Sequence, residues 1–134
     1  MLTVHRLPQT TIVEFSIAGQ VAADDYARAV AQFEQIVREY GRVRVLKVIH
    51  PSAVVDPGAF REGLQGLLPE MSRVERAAIV ADQSWVDQMM AVALSLYPCG
   101  VRFFPRAQRD EALAWLKQGQ REDLSNVDDA APQV

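Results

Sequence analysis

The sequence predicts an α/β fold: a single domain with a mostly parallel five-stranded sheet, an antiparallel first strand and four main helices. Three observations predict it. Two alternating runs flank a short polar break near the start. Strand-like apolar runs then alternate with segments of helical period, which implies parallel strands joined by right-handed crossovers. Proline or glycine punctuates most of the boundaries.

The elements follow in order. "LTVHRL" alternates weakly and ends at Pro8, with Gln9, Thr10 and Thr11 behind it. "TIVEFSIAG" alternates better, placing Val13, Phe15 and Ile17 opposite Ile12, Glu14 and Ser16. In "AADDYARAVAQFEQIVREYG", Tyr26, Val30, Phe33 and Val37 recur at helical spacing. Asp24 and Asp25 complement the helix dipole in its first turn, and Gly41 suits a C-terminal cap. "VRVLKVI", Val43 to Ile49, is a β-branched strand closed by Pro51.

A helix from Pro57 to about Leu68 starts on Asp56 as N-cap and Pro57 as first residue. It contains Gly63 and Gly66, each costing roughly 1 kcal/mol against Ala, so it depends on packing. Pro69 ends it. "RAAIVAD" is a short buried strand, and "QSWVDQMMAVALSLYP" is a helix stopped by Pro98 and Gly100. "VRFFP" is the last strand. "QRDEALAWLKQG" is the last helix, with Leu113 and Leu116 inward and Gly119 as terminator. The domain is expected over residues 1–119, followed by an acidic, disordered tail over 120–134.

Composition excludes several classes. The 134 residues suit one core, and 49% hydrophobic with 23% charged residues is ordinary for a soluble globular chain. The start "MLTVHRLPQT" has no signal-peptide pattern, and no apolar run reaches the ~20 residues of a membrane span. A cytoplasmic protein is expected, either free or at a membrane surface. Cys99 stands alone, and His5 and His50 show no ligand spacing, so neither a disulfide nor a metal is expected. The tail holds Arg121 against Glu122, Asp123, Asp128 and Asp129, which is the whole net charge of −3. The body is balanced and has no basic excess for nucleic acid.

No Walker loop, GxGxxG, GxSxG, CxxC or HExxH occurs, so no enzyme and no cofactor is expected. In parallel sheets, ligands bind beyond the carboxyl ends of the strands. The residues there are His50, Asp56, Asp82, Trp85, Phe104 and Arg106, a candidate set for a small ligand with an apolar body. Their structural alternative is helix capping for Asp56 and Asp82, sheet packing for Trp85, and solvation for His50 and Arg106. Helix 84–97 spreads its apolar residues over about 200°, where covering a sheet needs only about 100°. Met89, Met90, Leu94 and Tyr97 are therefore candidates for a membrane or dimer contact, with packing inside the domain as the plain alternative.

"DDYARAV", "ERAAIVADQSW" and "VRFFP" followed by "EALAWL" together resemble the SpoIIAA-like proteins, relatives of the STAS-domain anti-sigma-factor antagonists. The likeness spans about Leu2 to Lys117. Arg76, Ala78, Val80, Asp82 and Trp85 form its most distinctive pattern. The resemblance implies the sheet described above, a relation in fold to CRAL-TRIO lipid-binding domains, homodimers, and association with membranes or small apolar ligands. The antagonists to which these proteins are related are switched by phosphorylation of a Ser after an Asp, at the start of the helix that follows the third strand. Here that place reads Asp56-Pro57-Gly58: the Asp matches and the hydroxyl is missing, while Ser52 precedes the helix. The expected function is a non-enzymatic binding module, associating with a membrane or a small apolar ligand through helix 84–97. The alternative is a protein-interaction regulator of the antagonist type without the phosphorylatable Ser.

Overall fold

The computed structural model describes residues 1–55, 65–96 and 100–119. Strands β1 (Leu2–Arg6), β2 (Ile12–Ile17), β4 (Val43–Ile49), β6 (Val74–Val80) and β7 (Gly100–Phe104) form one sheet in the order β1-β2-β4-β6-β7. β1 runs antiparallel to β2, and every later pairing is parallel. Two short strands, β3 (Gln20–Val21) and β5 (Val54–Val55), pair in parallel beside it. The helices are α1 (Ala23–Tyr40), α2 (Gln83–Leu96) and α3 (Arg109–Lys117). A helical turn at 65–67 is the described end of the helix expected from Pro57.

Alternation along the strands gives the sheet two covered faces. Val13, Phe15, Val43, Val45 and Ala77 pack under α1, centred on Phe33. Further along the same face, Ile17, Ile49 and Ile79 meet Tyr26 of α1 and Val86 of α2. The opposite face carries Ile12, Leu46, Val48, Ala78 and Val80 against Ala112 and Leu116 of α3. Burial from both sides explains why β4 is buried along its whole length.

The α-helical turn ends at Leu67, beside the expected end at Leu68 and Pro69, but the chain does not leave helical geometry there. A 3-10 helix, Leu68–Arg73, follows with Pro69 in its first turn, where a missing N–H costs nothing. Gly100, expected with Pro98 to follow the end of the preceding helix, is the first residue of β7. The tail 120–134, the Asp56-Pro57-Gly58 helix start and Cys99 lie outside the described residues.

Candidate functional site

The strand register places the site. Val80 of β6 pairs with Phe104 of β7, so the residues two further on, Asp82 and Arg106, emerge side by side beyond the carboxyl ends. The carbonyl of Phe104 holds the Ala81 N–H at 3.1 Å and closes the sheet there. The Asp82 carbonyl then accepts from Trp85 and Val86, so Asp82 is the residue from which α2 starts. Arg106 Nη1 lies 4.0 Å from Asp82 Oδ1, and both side chains are 46% exposed.

Between them runs a groove of about 180 Å³, lined by Ala81, Asp82, Gln83, Val86, Phe103, Phe104, Pro105 and Arg106. Phe104 is its buried apolar wall. An exposed ion pair of this kind contributes little to stability, roughly 0–1 kcal/mol, so its two charges remain available to a polar ligand group.

Asp82, Phe104 and Arg106 are thus brought together. His50 and Trp85 do not line this groove. His50 Nε2 lies 3.2 Å from Ser16 Oγ on the neighbouring β2. Trp85 is half-buried against the Ile17–Ile79 core, the sheet-packing alternative stated for it. Asp56 and Tyr97 lie outside the described residues, as does the side chain of Met89. Met90 and Leu94 are 40% and 55% exposed, one turn apart on α2. Ser52, the hydroxyl nearest the missing phosphorylation position, accepts the Gly19 N–H at 3.2 Å beside the β3–β5 pair.

A second cavity was not expected from the sequence. Leu2, Phe15, Ile17, Tyr26, Ala29, Val30, Lys47 and Leu67 enclose about 20 Å³ under α1, room for about one water. Lys47 is 7% exposed, and burial pulls its ammonium pKa down to about 8. Burial likewise pushes the Tyr26 phenol up to about 12. The available signal was the lysine within "VRVLKVI", on the same face as Val43, Val45 and Ile49. Across the sheet, Glu14 meets Arg109 at 2.5 Å and His5 at 3.8 Å.

Among the described residues no group of three potential metal ligands occurs, and no helix is long and apolar enough to cross a membrane.

A family model described as SpoIIAA-like matches residues 12–117. The fold is also similar to the crystal structure of an uncharacterised protein of the DUF3478 family from Shewanella loihica PV-4, described as having a SpoIIAA-like fold. That likeness has a TM-score of 0.64 at 19% identity and covers 87% of this chain and 92% of the other. At that identity it speaks for the fold alone. No curated protein matches the chain.

Proposed function

Since the chain belongs to the SpoIIAA-like family, we propose that it works by contact, as a non-catalytic binding module whose outer α2 face engages an apolar protein surface, first of all a second copy of itself. The observation that carries this reading is the exposed pair Met90 and Leu94. Gln83 and Asp87 continue the same stripe toward the helix start, where Gln83 Nε2 donates to Asp87 Oδ1 at 2.8 Å. The stripe is therefore polar at one end and apolar at the other. Two copies related by a two-fold axis passing between Met90 and Leu94 would set Met90 of one against Leu94 of the other and leave Gln83 and Asp87 at the rim.

The alternatives fit less well. Helices that lie in a membrane surface are rich in Lys and Arg, whereas α2 contains neither and carries Asp87. Pockets that enclose small apolar ligands span roughly 300–1,000 Å³, and the two cavities described above hold about 20 and about 180 Å³. A protein contact is also the common ground with the antagonist-type regulator, without any need for a phosphorylated Ser.

Light scattering on the eluting protein tests the reading. The wild type is expected at about twice its 14.9 kDa chain mass. Met90→Asp with Leu94→Asp is expected at the monomer mass with unchanged circular dichroism. A wild type that stays monomeric from micromolar to millimolar concentration would overturn it, and so would a double variant that remains dimeric. Sedimentation with neutral and anionic vesicles provides the membrane control, with no binding expected.

A further inference from the structure

At the opposite end of the sheet, three arginines from neighbouring strands converge on the last turn of α3. Arg44 of β4 donates through Nη1 to the carbonyls of Leu116, at 2.6 Å, and Gln118. Its Nε also lies 3.4 Å from Glu75 Oε1. Arg76 of β6 donates to the Trp115 carbonyl at 2.9 Å, with its guanidinium carbon 5.0 Å from the centre of the Trp115 ring. Arg102 of β7 stands 5.5 Å from the same ring and 5.0 Å from that of Phe104. Lys117 is exposed in the same turn.

This is more positive charge than the helix end requires. Arg44 and Arg76 already serve the carbonyls of the last turn. Arg102 is exposed and forms no ion pair with any described residue. Among the described residues, four cations, Arg44, Arg76, Arg102 and Lys117, stand against one contacting acid, Glu75. A guanidinium stacked on an indole keeps its N–H edge directed outward, in the planar arrangement that suits a carboxylate.

The nearest source of carboxylates is the chain itself. Gly119 follows this turn, and a Cβ placed on it would lie 3.9 Å from Arg44 Nη2. Residues 120–134 begin there with Glu122, Asp123, Asp128 and Asp129 against Arg121, a net −3 opposite a local +3. Asp123 is four residues beyond Gly119, a reach of up to about 14 Å. A tether this short holds the acids at millimolar effective concentration. Nucleic acid suits the cluster less well, because the body as a whole carries no basic excess.

We propose that the acidic segment 120–134 docks through its carboxylates on the Arg76–Arg102–Lys117 surface of its own chain. The surface is separate from the outer face of α2, and its test is independent of the dimer.

The test compares amide and indole NMR spectra of two full-length chains: wild type, and one carrying Glu122→Gln, Asp123→Asn, Asp128→Asn and Asp129→Asn. The Trp115 indole and the Arg76 and Arg102 amides are expected to shift between them, while the Trp85 indole stays in place. Raising salt from about 0.1 M to about 1 M shortens the Debye length from about 10 Å to about 3 Å, and should move the wild type toward the neutralised chain. Arg102→Gln in the otherwise wild-type chain is expected to reproduce part of the shift. Superimposable spectra of the two chains would overturn the proposal. A shift that grows with protein concentration would also overturn it, by moving the contact between copies.

Discussion

Arg109 Nη2 donates to Glu14 Oε1 at 2.5 Å, joining the first residue of α3 to the middle of β2 across ninety-five residues of chain. The two partners are unequal: Glu14 is 8% exposed, and the Arg109 side chain is 39% exposed. Removing the arginine leaves the buried carboxylate its longer 3.8 Å contact with the exposed His5, while removing the carboxylate leaves a guanidinium that turns to water. Arg109→Ala is expected to cost about 2 kcal/mol and Glu14→Gln about 1 kcal/mol. Urea unfolding of both variants checks the asymmetry, and equal losses would contradict it.

Lys47 and Tyr26 give stability a dependence on alkaline pH. The folded-state pKa of Lys47 is about 8 against an ordinary 10.5, so between these values the unfolded chain holds more protons than the folded one. Stability therefore rises with pH from about 8, by at most about 1.4 kcal/mol per unit. Tyr26 acts oppositely, because its pKa rises from 10.0 to about 12 on folding and the folded chain keeps its proton longer. Stability is expected to turn over near pH 10. Lys47→Met should abolish the rise and keep the fall, as measured by urea unfolding from pH 7 to pH 11.

Gly41 ends α1 with φ +82°, its N–H donating to the Val37 carbonyl at 2.7 Å. No atom within 4 Å would meet a Cβ there, so a substitution is penalised by backbone conformation alone. Gly41→Ala is expected to cost about 1–3 kcal/mol and Gly41→Asn about as much, because φ +82° with ψ −75° lies outside the left-handed helical region that Asn tolerates. Thermal unfolding of the pair checks this, and an Asn variant as stable as the wild type would contradict it.

Arg44→Leu removes the donor shared by the Leu116 and Gln118 carbonyls and unpairs Glu75. A loss of about 3 kcal/mol is expected, with partial recovery in Arg44→Lys, whose single ammonium cannot span the same partners. A loss below about 1 kcal/mol would mean that water replaces the guanidinium at the helix end.

The five main strands and the long helix were legible because each carries its own period. Tyr26, Phe33 and Val37 mark the buried stripe of α1, and β4 announces itself by branched residues. β3 and β5 were not legible, since two residues hold no period and their pairing depends on where β2 and β4 end. The groove was half legible. Asp82 and Arg106 could be placed together because each follows a strand by the same count once the strands are parallel neighbours. The His50–Ser16 contact depends on the register of β2 against β4, which loop lengths do not reveal. Lys47 went unread because strand composition averages over a single charge. The convergence of Arg44, Arg76 and Arg102 went unread because the arginines lie far apart in sequence and meet only across the sheet.

The placement of Arg102 has a further effect. β7 is an outer strand of the sheet, with one row of backbone groups unpaired by any described strand. Arg102 sits at its centre, and Pro105, which lacks an N–H, follows its end. An edge with a central charge and a proline beside it is a poor template for strand addition. Growth into an extended intermolecular sheet is thereby discouraged, and association between copies is directed to the helical layer.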